Sequence, residues 1–239
     1  MSYLLRARLK RSASIASIAT HLLPEDPSRR AEAAHRLLWS LFAGDPDAPR
    51  PFLWREEKSG VFYILTSQLP GESEIFDVEV KDFTPALAVG DRLQFSLRAN
   101  ATRAYKPPGA VRGKRADVVM AALSPLAKSE RSAQREAVIQ EAGAAWLAGQ
   151  GEKHGFSLPA PPRVDGYNKW KIPRGKAAKI EISTLDFDGI LEVAAVDQFT
   201  AALANGFGHA KAFGCGLMLI RRAGTRWYGS APAAPGRCP

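Results

Sequence analysis

Apolar and polar residues alternate from Tyr3 to Leu9, with Tyr3, Leu5, Ala7 and Leu9 on one side and Leu4, Arg6 and Arg8 on the other. That period of two predicts a half-buried first strand. After a polar segment carrying Pro24 and Pro27, the spacing of Ala31, Ala34, Leu38, Leu41 and Phe42 changes to the period of a helix. It predicts a helix from about Arg29 to Ala43, capped by Ser28 and ended by Gly44 and Pro46. PFLWREE and GVFYILTSQ then read as two strands joined through KSG, a hairpin signal, and DRLQFSLRA as a further strand. Strand, helix, strand, strand and later strand is the layout of a ferredoxin-like half, which RRM domains share.

The pattern then repeats in outline. Residues 99–117, ANATRAYKPPGAVRGKRAD, read as a basic loop rich in Pro and Gly. A helix is predicted from about Ser129 to Ala148, and SLPAPPR breaks the chain after it. GYNKWKIPRGKAAKIEISTLDFDGILEV reads as strands around a cationic turn at Pro173–Gly175. DQFTAALANG is a short helix with Gly206 just past its end, and GLMLIRR is a final strand. No sequence repeat relates the halves, so the duplication rests on element order. The expectation is an α+β protein of two tandem ferredoxin-like (RRM-like) domains. They occupy residues 1–98 and 118–224, with a basic linker loop at 99–117 and a mobile tail at 225–239.

Composition narrows the class. With 46% hydrophobic and 24% charged residues the chain has enough apolar side chains for packed cores. Its formal charge of +9 favours a polyanionic partner, nucleic acid above all. Two cysteines, Cys215 and Cys238, make neither a disulfide framework nor a zinc site. Acidic residues and histidines show no metal-ligand spacing, so no metal and no other cofactor is expected. No apolar run reaches the roughly 18 residues of a membrane span, and the alternating start is no signal peptide. A cytoplasmic protein without membrane contact is expected.

GFGHAKAFGCGLMLIRR, residues 206–222, is the most distinctive stretch. Glycine-rich loops commonly hold phosphate. A dinucleotide fingerprint places its glycines after a strand and before a helix. Here a helix precedes and a strand follows, and the Gly-Lys-Ser/Thr of a P-loop is missing. A nucleotide cofactor is therefore not expected. Backbone N–H groups at Gly206 and Gly208, beside Lys211, can instead cradle a nucleic-acid backbone, or the glycines can shape a turn that packs helix against sheet.

This loop resembles the glycine-rich motif of CRISPR repeat endoribonucleases of the CasE family, found in type I-E Cascade complexes. Three further stretches resemble that family in order: HRLLWSLFAGDPDAPRPFLWREEK, RLQFSLRANATR and KIEISTLDFDGILEV. Together they span about Tyr3 to Ile220. The resemblance implies a tandem ferredoxin-like fold that cuts precursor CRISPR RNA beside the repeat hairpin without a metal. It also implies retention of the crRNA 3′ hairpin and assembly with other Cascade subunits. A non-catalytic RRM-like RNA-binding subunit is the alternative.

Such cleavage needs a base to take the ribose 2′-OH proton, attack of that oxygen on phosphorus, and an acid for the departing 5′-oxygen; the products are a 2′,3′-cyclic phosphate and a 5′-OH. Histidine titrates near neutrality and can fill either role. His35 matches the family's catalytic histidine in the HRLLW context and lies at the edge of the first helix's apolar stripe. His21 and His154 have no motif partners, and His209 in the glycine loop is a weaker second candidate. Some family members carry tyrosine where Glu32 stands, which leaves the second acid or base open. RNA contacts are expected from Arg36, from Arg98, Arg103, Arg112, Lys114 and Arg115 around the central loop, from Lys169, Lys171, Arg174 and Lys176 around the cationic turn, and from Gly206, Gly208 and Lys211.

Overall fold

The first strand forms as its alternation predicts. β1 (Tyr3–Leu9) buries Leu5 and Ala7 on one face and pairs antiparallel with β3 (Val61–Thr66) and β4 (Phe76–Asp82). β2 (Phe52–Lys58) pairs with β3 through a turn at Gly60, whose φ of +74° a glycine tolerates. The four strands lie in the order β2-β3-β1-β4. The computed structural model describes residues 1–42, 51–106, 111, 113–174 and 177–222, with backbone alone at 172–174 and 177–180. The expected tail at 225–239 and the helix-ending Gly44 and Pro46 lie outside the described residues.

Two helices cover this sheet. α2 (Pro27–Trp39) continues into a 3-10 turn at Ser40–Phe42. Its N-cap is Asp26 rather than Ser28: the Asp26 carboxylate accepts from the backbone N–H of Ser28 and Arg29, and Pro27 fits the first turn, where its missing N–H costs nothing. The Ser28 hydroxyl donates to the same carboxylate, and these bonds hold Asp26 below its usual carboxylate range. α2 buries Ala34 and Leu38 among Leu5, Trp54, Phe62 and Phe76. Full burial of a leucine or phenylalanine stabilises by about 1.5–3 kcal/mol. α1 (Ala13–Leu22) falls in the segment expected to be irregular and buries no side chain.

The second sheet has five strands in the order β11-β5-β10-β8, with β9 also paired to β10. β5 (Arg92–Ala99) is its centre, flanked by β10 (Ala177–Val193) and β11 (Met218–Arg222). β5, expected within the first half, pairs in the second sheet. Leu93, Phe95, Leu97 and Ala99 face a core built with α3 (Val118–Leu123), α4 (Arg131–His154) and α5 (Val196–Asn205). α4 runs six residues beyond its expected end and stops where Gly155 adopts φ +73°. The short β8 (Phe156–Ser157) and long β9 (Arg163–Arg174) follow. The expected linker loop contains a hairpin of its own, β6 (Thr102–Tyr105) with β7 (Lys114–Asp117). Asp117 anchors it: the carboxylate accepts from Met120 N at the start of α3 and from the Tyr167 hydroxyl at 3.2 Å.

A third, small apolar cluster joins the sheets, with Leu53 and Leu65 of the first against Leu217 and Leu219 of the second. Arg55, nearly buried, donates to Ser96 Oγ on β5 at 2.9 Å and pairs with Glu57. No helix among the described residues is long and apolar enough to cross a membrane.

Candidate active site and nucleic-acid interface

α2 does more than cover its own sheet. It also packs against β9 and against the 3-10 turn Lys211–Phe213 of the glycine loop. This helix, which bears His35, therefore lies along the seam between the two halves. Arg30 fixes the helix there. Its guanidinium donates to both Glu56 oxygens, at 2.8 and 2.6 Å, and to the carbonyls of Leu23 and Pro24. Glu56 in turn accepts from Gly60 N, so one ion pair ties α2 to the β2–β3 hairpin.

His35 is half-buried, and its Nε2 is shielded from solvent. Trp39 meets the imidazole edge-on with centroids 6.3 Å apart, and Phe52 lies 6.1 Å away at a tilt. Trp39 and Phe52 also touch each other edge-on, so the ring sits in an aromatic corner that limits its rotation. Glu32 turns away from it: its carboxylate faces Arg36 across one helical turn, at 4.0 Å, with both side chains largely exposed. Ser40 spends its hydroxyl on the Leu37 carbonyl.

The other histidines sit apart in character. His154 is partly buried edge-on to Phe207, and that burial, with Lys153 and Lys211 near, lowers its pKa. His209 is exposed in the glycine loop and bridges Asn100 through backbone; partial burial, then Arg115 and Lys211, lower its pKa as well. Burial pushes the Cys215 thiol up to about 12, which removes it as a nucleophile.

The glycines of the loop are explained by packing. Gly206 has φ +73° and ψ 160°, a region open almost only to glycine, and a Cβ there would stand 2.7 Å from Leu53 Cδ1. A Cβ on Gly208 would stand 2.9 Å from the Asn100 carbonyl, and one on Gly214 3.2 Å from the Trp54 ring. Gly216 N donates to Arg98 O and Phe207 N to Gly216 O, which stitches the loop to β5. The loop thus wedges against β2 and fixes the seam beside α2. Gly206→Ala is expected to destabilise by about 3 kcal/mol, from backbone strain and overpacking together. A thermal melt should show a Tm lower by roughly 6–10 °C at this chain length.

The cationic candidates divide into paired and exposed groups. Arg98 is gripped at both ends by Asp186, at 2.7 and 2.8 Å, which raises its pKa. Lys169 and Lys171 share Glu181, at 2.9 and 3.0 Å, and hold its carboxyl below the usual range. Arg103, Lys114 and Arg115 are exposed on the β6–β7 hairpin, beside Lys106. Lys211 sits half-buried in the turn that touches α2. Arg112 and Lys176, and the side chain of Arg174, lie outside the described residues. Among the described residues no three His, Cys, Asp or Glu gather to hold a metal. Asp186 and Glu181, the carboxylates that partner these cations, were not among the expected site residues; both lie on β10, across from Arg98 on β5 and the two lysines on β9, and nothing local in the sequence marks the pairing.

A profile of the CRISPR associated protein family matches residues 2–222. The chain belongs to the CRISPR-associated protein family. It is 30% identical over 203 residues to the CRISPR system Cascade subunit CasE of Escherichia coli strain K12, covering 81% of this chain and 92% of that relative. It is 28% identical over 194 residues to the CRISPR-associated endoribonuclease Cse3 of Thermus thermophilus, covering 79% of this chain and 81% of that relative. A solved structure of the CRISPR endoribonuclease Cse3 bound to a 19 nt RNA superposes with a TM-score of 0.63 at 25% identity, over 92% of this chain and 98% of that one.

Proposed function

We propose that this member of the family is the endoribonuclease that cuts precursor CRISPR RNA beside the repeat hairpin and then keeps the crRNA 3′ hairpin within Cascade. One observation carries the reading: α2, the helix that bears His35, docks on the lysine-bearing strand β9 and on the glycine loop, in a chain whose relatives are a Cascade subunit and a CRISPR-associated endoribonuclease. His35 acts as the proton-transferring group. The 2′-oxygen of the ribose loses its proton, bonds to the adjacent phosphorus, and the P–O5′ bond breaks with a proton delivered to O5′. Exposed cations of the β6–β7 hairpin hold the stem's phosphates, and Lys169 and Lys171 of the β9–β10 ribbon join them by exchanging Glu181 for phosphate. The reaction takes place in the cytoplasm.

The fold we propose for this task is a pair of ferredoxin-like units. The support is topological: taken in chain order, the four strands of the first sheet and β5, β9, β10 and β11 of the second occupy the same relative positions. The units divide between β4 and β5, and the β6–β7 hairpin projects from the second.

The test is incubation with the repeat RNA encoded beside its own gene, in EDTA, with the product ends identified. A 2′,3′-cyclic phosphate and a 5′-OH are expected. Intact RNA that stays bound would instead favour a non-catalytic subunit. The interface makes a prediction with opposite signs. Glu181→Ala releases Lys169 and Lys171, so hairpin affinity should rise and the slope of log K against log salt should steepen by about one for each phosphate newly engaged. Lys169→Ala with Lys171→Ala should flatten the slope. Slopes that move with neither change would make this ribbon a solvated face.

A further inference from the structure

A cleft of 340 Å³ opens on the seam, lined by Ala31 of α2, Trp54 of β2, Arg98, Lys169 and Trp170, and closed at one end by Phe213 and Gly214. We propose that this cleft holds one unpaired nucleobase of the RNA, from the nucleotide next to the bond that is cut; the inference rests on the reading of the protein as a repeat endoribonuclease. Its size lies at the lower end of the range for small-molecule sites, about 300–1,000 Å³, and suits one nucleotide rather than a duplex.

The chemistry of the walls selects the base over the phosphate. The cations lining the cleft each hold a carboxylate: Arg30 has Glu56, Arg98 has Asp186 and Lys169 has Glu181. A phosphate would have to displace those carboxylates, whereas a neutral base meets no net repulsion. Trp170 and Phe213, both partly exposed, supply aromatic surface on which any base can stack. The indole N–H groups of Trp54 and Trp170 are both buried and have no acceptor among the described residues, although Trp54 is only 2% exposed. Buried donors without acceptors are rare in folded proteins. A nucleobase brings carbonyl and ring-nitrogen acceptors to such donors, which an apolar filler would not.

The position of the cleft sets which nucleotide. Ala31, on its wall, is four residues before His35 on the same helix, so the two share a face one turn apart, about 5.4 Å along the axis. A base seated against Ala31 belongs to the nucleotide adjoining the phosphate that His35 serves. Binding it would draw the flanking strand off the stem and hold the ribose in place for attack.

The experiment is a scan of repeat RNAs, each with one unpaired nucleotide beside the stem made abasic, against the wild-type protein, Trp170→Ala and Trp170→Phe. In the wild type one abasic position is expected to lower affinity by about ten- to hundredfold, the range for loss of one stacked base. Trp170→Ala should bind that abasic RNA and the intact RNA alike. Trp170→Phe keeps a ring in place and should retain part of the penalty, and it serves as the test if the alanine variant does not fold. A wild type indifferent to every abasic position, or a penalty unchanged in both variants, overturns the base pocket while leaving cleavage itself standing. Intact repeat RNA that is neither bound nor cut by the wild type overturns the endoribonuclease reading, and the pocket with it.

Discussion

His35→Ala is expected to slow cleavage of the repeat hairpin by two to four orders of magnitude, about the worth of one general acid or base. Single-turnover kinetics at saturating protein is the measurement, so that weaker binding does not pass for slower chemistry. The fold should survive. Alanine is the best helix former, and the lost contacts are those to Trp39 and Phe52, worth about 0.5–1.5 kcal/mol for each ring pair. Affinity for the hairpin should stay within a few fold, because one side chain among many cations contributes little to phosphate binding. His209→Ala is the control. His209 is exposed, and the shift of its pKa is downward, so it is largely neutral at pH 7 and adds little charge to the loop. If His209→Ala abolishes cutting while His35→Ala cuts near the wild-type rate, the reacting group lies in the glycine loop and the assignment to α2 is wrong.

A single 2′-deoxy substitution at the cut site is expected to stop cleavage altogether, because it removes the nucleophile itself. The hydroxyl is otherwise one hydrogen-bonding group among many, and the loss of one such bond is worth about 0.5–1.5 kcal/mol. Binding should therefore weaken by no more than about tenfold. Cutting of the deoxy substrate at an appreciable rate would mean that water, not the neighbouring ribose, attacks phosphorus. Analysis of the product end distinguishes the two routes, since attack by water leaves no cyclic phosphate.

Much of the architecture is carried by short-range pattern. The alternation of β1, the β2–β3 hairpin at Gly60, the apolar stripe of α2 and the glycine after α5 each depend on neighbours within a few residues, and each forms where the pattern places it. Two elements formed where none was expected, although each carries a short apolar pattern. α1 has Ile15, Ile18, Ala19 and Leu22 at helical spacing among serines and alanines, but buries no side chain. β4 alternates Phe76, Val78 and Val80 with Asp77, Glu79 and Lys81, and at the sheet edge it buries Phe76 alone.

What only the tertiary structure decided is how distant pieces meet. The alternation of Leu93, Phe95 and Leu97 states that β5 has an apolar face, but not which sheet receives it; pairing with β10 and β11 settles that. The charge of the basic face is likewise a long-range result. Arg98 and Asp186 lie 88 residues apart, and Lys169 and Lys171 meet Glu181 across a strand pair, so cations that look available in one dimension are partly neutralised in three. The glycine loop follows the same rule. Its residue types announce a tight turn, while the reason for that turn, Leu53 and Trp54 pressed against Gly206 and Gly214, exists only once α2, β2 and the loop close on one seam. Backbone propensity acts over one turn of chain, whereas ion pairs and side-chain packing act through space.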